Sequence, residues 1–308
     1  MQPIIELIKK YNQILLYRHV NPDDDAFGSQ AGMYHYLKTY FPEKNVVLMG
    51  IFTSDLVSRY FPELPECILK EEPSLAIVMD TARKDRIDGD LKYADYIVKI
   101  DHHIITDQYG DLNIVDESSI ACAQIITHMM NEVSELYPLT KDAAAPLYMG
   151  IIGDSNRFMY QNTSAKTFSA ASLLVATGIN IDSLYRQMYL KSEKSLAIKR
   201  FILNNYVNDE GVGYYVMKDE DLKALGVSRE IASGYVTELA DIDEIKIWIA
   251  ITENKEGNNV RVSLRSRDYP VNEVAAKFNG GGHRLAAGAT LDHLNDIPKL
   301  IAAAKAIL

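Results

Sequence analysis

Apolar residues in the first half of the chain come in short runs, and four of these runs end in acid or imidazole. Ile14–Tyr17 is followed by Arg18-His19 and then by Pro22-Asp23-Asp24-Asp25. Leu75–Met79 is followed by Asp80, Tyr96–Ile100 by Asp101-His102-His103, and Leu147–Ile152 by Gly153-Asp154. The pattern predicts strands near 13–18, 46–50, 75–80 and 95–100, with helices near 26–39, 119–133, 141–152 and 165–176. Strands interleaved with helices imply a mostly parallel sheet. Open α/β sheets bind ligands at strand carboxyl ends, so the polar ends of these runs point to a site assembled along one sheet edge. The helix near 26–39 follows the acidic loop directly, so its first amides are expected to face that site and to suit an anionic ligand.

The second half reads differently. Tyr189 to Ser195 is a charged linker candidate that passes into a helix through Asn205. Beyond it the pattern predicts a strand near 212–217, helices near 219–225 and 228–239, and strands near 245–253 and 259–265 joined by a turn at Gly257. A helix near 271–278 precedes Gly280-Gly281-Gly282-His283, and a last strand covers 287–291. The expected architecture is α/β in two domains. Residues 1–187 form a mostly parallel sheet flanked by helices, 188–200 a linker or helix, and 201–308 a smaller mixed α/β domain, with the active site in the cleft between.

Composition narrows the function classes. At 308 residues and 47% apolar content, the chain can bury two ordinary cores. No apolar stretch is long enough to span a bilayer, and Met1 to Lys10 has no secretory pattern. Cys67 and Cys122 stand in unrelated contexts, as reduced thiols would. A cytoplasmic protein without a membrane partner is expected. The net charge of −10 argues against a long nucleic acid held by a broad basic face. Residues 191–308 carry 16 Lys and Arg against 17 Asp and Glu, whereas residues 1–190 carry 16 against 25. The acidic excess therefore lies with the acid-ended runs, where divalent cations would offset part of it, and a short phosphorylated substrate suits this balance.

His19, Asp23 and Asp25 form a His-x3-Asp-x-Asp cluster after a strand. An acidic loop whose Asp residues cap the next helix is the plain alternative. Together with Asp80, Asp101-His102-His103 and Asp154, however, the cluster has the mixed nitrogen and oxygen donors that suit manganese, iron, cobalt or zinc better than calcium. Two-metal hydrolases need such a set. Ions about 3.5–4 Å apart activate a shared water and stabilise charge on a phosphoryl group. A lone strand-end carboxylate such as Asp80 is suited to bridging them.

These motifs resemble the DHH phosphoesterase superfamily: His19 to Ser29, Asp80, Asp101-His102-His103 and Gly150 to Asp154 match its four motifs in order. Arg265-Ser266 with Gly280 to Gly288 resembles the DHHA1 C-terminal domain. The length and two-part plan look most like the stand-alone bacterial nanoRNase (oligoribonuclease) and pAp phosphatase branch, some of whose members also cleave pApA. The resemblance implies two divalent ions, usually manganese. His19, Asp23 and Asp80 would hold one, and Asp25, Asp80, His102 and Asp154 the other, with Asp80 bridging. Asp101 would orient an imidazole and His103 would contact the scissile phosphate, as a candidate acid for the leaving oxygen. Arg265, Ser266, Gly281, Gly282 and His283 would bind the substrate's other phosphate or nucleotide end. Two departures stand beside the ligands: Asp24 where Gly is common, and Ser155-Asn156-Arg157-Phe158 where Thr-Gly is commoner.

The residues of the glycine segment support a phosphate clamp on their own terms. Consecutive glycines let backbone amides approach an anion, and His283 and Arg265 add donors; a flexible turn is the plain alternative. Arg267 and Arg284 read as clamp residues or surface charges, and Phe158 and Tyr160 are the first candidates for stacking on a base. His35, His128 and His293 read as structural or solvated. The leading function is hydrolysis of short oligoribonucleotides, pApA or pAp to mononucleotides, by a chain for which a homodimer stays open. The alternatives are a nucleotide-binding regulator without catalysis and, within the superfamily, a cyclic-dinucleotide or single-strand DNA phosphodiesterase. An inorganic pyrophosphatase is disfavoured by the Gly280 to Gly288 motif.

Overall fold

The buried apolar runs become strands of a parallel sheet. In the computed structural model, which describes residues 1–52 and 56–308, the chain divides into two units, Met1–Leu190 and Lys191–Leu308. The first contains α1 (Gln2–Lys10), β1 (Gln13–Tyr17), α2 (Asp24–Tyr40), β2 (Asn45–Leu48), α3 (Val57–Tyr60), β3 (Ser74–Met79), β4 (Tyr96–Asp101) and β5 (Leu112–Val115). It continues with α4 (Cys122–Glu132), α5 (Lys141–Asp154), α6 (Ala165–Ala176) and α7 (Ile181–Tyr189). The strand order is β2-β1-β3-β4-β5, and every pairing is parallel. Strand order reverses between β1 and β3, which opens the crevice at their carboxyl ends.

β1 and β3 are buried along their whole length, as expected of a sheet covered on both faces. Ile14, Leu16, Leu75, Ile77 and Ile100 pack toward the helices. Leu15, Tyr17, Val47, Ala76 and Val78 face the other way, where Ile87, Leu91, Tyr93 and Tyr109 from the connecting segments cover them.

The run Leu147–Ile152 lies in α5, the helix expected near 141–152, and Asp154 is the last residue of that helix, so this donor reaches the site from a helix end although the sequence pattern groups it with the strand ends. Its position is set by α2, which crosses α5 with backbone close to backbone. A Cβ at Gly28 would lie 2.5 Å from the Pro146 carbonyl oxygen and 3.0 Å from Gly150 Cα. The crossing brings the first turn of α2, with Asp25, beside the last turn of α5, with Asp154.

The second unit contains α8 (Glu193–Asn205), β6 (Val207–Asp209), β7 (Val212–Met217), α9 (Asp219–Leu225), α10 (Arg229–Gly234), β8 (Ile247–Asn254) and β9 (Asn259–Ser266). α11 (Val271–Ala276), β10 (Gly281–His283), β11 (Ala286–Leu291) and α12 (Ile297–Lys305) complete it. Its sheet runs β10-β11-β9-β8-β7-β6. Only β7 and β8 pair in parallel there, so the sheet is mixed. Ile198 and Ile202 of α8 pack with Tyr215, Trp248 and Val236 in this unit's core. The helix expected over 228–239 breaks after Gly234 into α10 and a 3-10 turn, Tyr235–Leu239. Among the described residues no single helix is long and apolar enough to cross a membrane.

The helix crossing makes a direct prediction. Gly28→Ala forces a methyl against backbone and should destabilise the protein by about 1–3 kcal/mol. Gly234→Ala has open space around its Cβ and should leave stability unchanged or raised by up to about 1 kcal/mol. Urea unfolding of the two variants checks both, and an unaffected Gly28→Ala protein would contradict the close crossing.

Candidate active site

The carboxyl ends of β1, β3 and β4 deliver His19, Asp80 and the Asp101-His102-His103 triplet, and two helices supply the remaining acids. Asp80 follows β3 in a left-handed conformation (φ 50°), rare for a residue with a side chain and a form of strain that clusters at functional sites. Its amide donates to the Ile100 carbonyl at 3.0 Å, which fixes it between β3 and β4.

Asp23 caps α2, with Oδ1 accepting from the amides of Asp25 at 3.1 Å and Ala26 at 3.0 Å. The first amides of α2 are therefore engaged by Asp23, and the expectation that they wait for an anionic ligand does not hold. Asp25 is fully buried. It accepts at Oδ2 from the Cys122 amide (2.6 Å) and at Oδ1 from the Ala123 amide (2.9 Å), the N-terminus of α4. Helix N-terminal donors there stabilise a carboxylate that has left water.

The side chains converge on one space. His19 Nε2 lies 3.3 Å from Asp80 Oδ2 and 3.8 Å from Asp23 Oδ1. His102 Nε2 lies 3.4 Å from Asp80 Oδ1, 3.4 Å from Asp154 Oδ2 and 3.9 Å from Asp25 Oδ2. Asp80 thus turns one oxygen to each group. The sets that could hold an ion are His19 with Asp23 and Asp80, Asp25 with His102 and Asp154, and Asp80 with His102 and His103.

Each of the first two imidazoles has its tautomer fixed by a backbone carbonyl. His19 Nδ1 is 2.9 Å from the Val20 carbonyl, and His102 Nδ1 is 3.3 Å from that of Ser119. A nitrogen facing a carbonyl must carry the hydrogen, which leaves the Nε2 lone pair facing carboxylates. Buried Asp80 Oδ1 accepts no hydrogen bond. Lone pairs and carboxylates aimed at one another are stable only around a cation or added protons, so the donor set fits divalent metal.

The proton affinities show the same demand. Burial and the Asp80 charge push Asp25 up to about 7. Burial and the charges of Asp25 and Asp80 push Asp154 up to about 9. Burial also opposes the ionised Asp80, but the His102 and His19 imidazoles beside its two oxygens, when protonated, hold it below the ordinary carboxylate range. Burial works against the imidazolium of His102 too, yet Asp80 and Asp25 outweigh it and raise that group to about 10.

His103 differs from its neighbour. Its Nδ1 is 2.8 Å from Asp101 Oδ1, which also accepts the His102 amide at 2.9 Å. Its side chain is 45% exposed, so Nε2 is left for solvent or a ligand.

Sequence reasoning overlooked the residues that hold these strand ends. Arg18 is buried and donates to Asp88 Oδ2 at 2.6 Å, to the Ile51 carbonyl at 2.9 Å and to the His19 carbonyl at 3.3 Å. Its guanidinium lies 4.5 Å from the Phe27 ring centroid. Lys99 is likewise buried inside β4. In both cases the signal was present, because a full charge inside an apolar run needs a partner. Asp24, the unusual residue of the acidic loop, accepts from Arg59 (2.8 Å) and Tyr60 (2.7 Å).

In the second unit, His283 pairs with Ala286 and Ala286 with Arg265. Directly opposed residues share a face, so Arg265 and His283 flank Ala286 on one side of the sheet. Arg265 is partly buried and donates to the Leu264 carbonyl at 2.8 Å. The Ser266 hydroxyl donates internally to the Tyr269 carbonyl. Gly281 and Gly282 lie in β10 rather than in a turn; Gly282 has φ 141°, and a Cβ there would lie 2.7 Å from the Ala286 carbonyl oxygen. Arg267 binds the carbonyls of Ala240 and Ile242, and Arg284 that of Asp268, so both have structural partners. After Asp154, three consecutive residues, Asn156, Arg157 and Phe158, are left-handed. The Phe158 ring stacks on Phe168 at 5.2 Å, whereas Tyr160 is exposed.

Known proteins are similar to this chain along both units. The DHH family N-terminal domain matches residues 13–151, and the DHHA1 domain matches residues 211–308. The bifunctional oligoribonuclease and PAP phosphatase NrnA of Bacillus subtilis (strain 168) is 35% identical, across 97% of this chain and 96% of the relative. A probable NrnA of Streptococcus mutans is 35% identical, across 93% and 92%. The crystal structure of an exopolyphosphatase-related protein from Bacteroides fragilis superposes with TM-score 0.82 at 22% identity, covering 98% of this chain and 94% of that one. With the family domains matched in order and this identity along nearly its whole length, the chain belongs to the DHH family and carries a C-terminal DHHA1 domain.

Proposed function

We propose that the protein is a metal-dependent phosphoesterase that hydrolyses short oligoribonucleotides, pApA or pAp to mononucleotides, using two divalent cations, manganese foremost. The observation that carries the reading is Asp80, a buried carboxylate that turns Oδ2 to His19 and Oδ1 to His102. His19, Asp23 and Asp80 would hold one cation, and Asp25, Asp80, His102 and Asp154 the other. Charge balance supports two. Asp24 is paired with Arg59, Asp88 with Arg18 and Asp101 with Lys99. The four carboxylates left without a cation of their own, Asp23, Asp25, Asp80 and Asp154, match two divalent charges.

Bound there, such ions supply Lewis acidity and bring the pKa of water toward neutrality. The chain's own residues do the rest. His103 presents Nε2 to the scissile phosphate and donates a proton to the leaving oxygen, held by the Asp101 bond at Nδ1. Arg265 and His283 grip another phosphate or the nucleotide end by charge-assisted hydrogen bonds. The exact-fit demands of such a grip favour short substrates. The 35% identity to a protein named for oligoribonuclease and PAP phosphatase activity supports this substrate class.

Three outcomes test the reading. Purified protein with manganese should convert 5′-phosphorylated di- to pentaribonucleotides, pApA or pAp to mononucleotides, chelation should abolish this, and no turnover with any divalent metal would sink it. Asp80→Asn should lose bound metal together with activity, whereas His103→Ala should keep its metal and lose about 10²–10⁴-fold in kcat, read by calorimetry beside steady-state kinetics. Arg265→Ala should raise KM about 10- to 100-fold with a smaller change in kcat, the loss of one charge-assisted contact.

A further inference from the structure

Lys99 sits in the middle of β4 opposite Val78 of β3, with its side chain 1% exposed. An apolar residue would fill this place at far lower cost, because an ammonium taken out of water forfeits its hydration. The ammonium meets three segments at once. Nζ donates to the Ala82 carbonyl at 2.9 Å and to the Asp107 carbonyl at 2.8 Å, one just after Asp80 and the other just after the His103 turn. It lies 3.2 Å from Asp101 Oδ2, an oxygen that accepts no hydrogen bond. The Tyr109 ring lies beneath it, 4.9 Å from centroid to Nζ, and the Tyr109 hydroxyl donates to the Thr81 carbonyl at 2.8 Å.

Asp101 is thereby held from both ends. Lys99 faces Oδ2, while Oδ1 takes His103 Nδ1 and the His102 amide. Ammonium, carboxylate and imidazole form a row that runs from the sheet interior to the exposed edge of His103. We infer that Lys99 is a positioning residue for hydrolysis: through Asp101 it fixes the ring of His103 so that Nε2 meets the substrate. The inference rests on the role proposed for His103. A carboxylate free to rotate could still bond Nδ1, but it would no longer define one ring orientation, and orientation is what a third group supplies to an acid or base.

The test is a double-mutant cycle on kcat, KM and manganese affinity for wild type, Asp101→Asn, Lys99→Met and the double variant. Asp101→Asn and Lys99→Met should each lower kcat about 10- to 100-fold, with KM and manganese affinity within about threefold of wild type. Because Lys99 acts through Asp101, the double variant should fall within about twofold of Asp101→Asn. A double variant lower by the product of the single effects, or a Lys99→Met protein with wild-type kcat, overturns the inference. If Lys99→Met alone fails to fold, the comparison of the double variant with Asp101→Asn decides. If neither protein lacking Lys99 folds, the residue serves only its carbonyl tethers and the inference falls. Wild type inactive on every substrate would instead remove the phosphoesterase reading, and this one with it.

Discussion

Mutual repulsion among Asp25, Asp80 and Asp154 is the constraint on which the rest of the first unit depends. Three acids, two buried and one partly so, within reach of two imidazoles cannot all stay charged unless something positive enters. The fold does not neutralise them with its own cations. Arg18 and Lys99 are both close beneath the site, yet each is matched to a carboxylate of its own, Asp88 and Asp101. A neutral frame therefore surrounds a charged centre. Relief within the protein comes from dipoles, chiefly the amides of Cys122 and Ala123 on Asp25, which lower the cost of the charge without cancelling it.

Holding like charges together requires stiffness, and the backbone supplies it. Asp80 stands in a left-handed conformation that a side chain ordinarily resists, and its amide bond to Ile100 keeps it there. Asp25 and Asp154 are brought together by two helices that cross at Gly28 and Gly150, where a Cβ at Gly150 would lie 3.0 Å from Asp25 Oδ1. His19 and His102 are prevented from turning away by carbonyls behind them. Each group is thus held by something other than the ligand it faces, which allows a site to be organised before it is filled.

The parts legible in the sequence are those compressed into short windows. His19 to Asp25 and Asp101-His102-His103 each lie where an apolar run meets a loop, so strand ends and donors could be read together. Asp154 was found as a donor and its run was read as a helix near 141–152, but only the close crossing of α2 and α5 shows how a helix end joins donors that follow strands. The amides of α2 were assigned to a ligand because the capping role of Asp23 is visible only once its side chain is placed. Ser119 left no signal at all, since it acts through a backbone carbonyl that every residue possesses. The glycines of β10 were read as a turn or nest because glycine permits many conformations, and only the register with β11 selects a strand.

Two divalent cations would only balance the four carboxylates Asp23, Asp25, Asp80 and Asp154, which would leave the proposed catalytic cluster no surplus positive charge with which to attract a polyanion. The second unit offers little more, since residues 191–308 carry 16 basic against 17 acidic side chains. Neither unit therefore has a net positive charge from which affinity could accumulate phosphate by phosphate along a strand. Selection must rest on a few directed contacts, and Arg265 and His283, flanking Ala286 on one sheet face, are of the kind that recognise one phosphate with defined geometry. A preference for short substrates would accord with this charge balance as much as with any contact the protein makes.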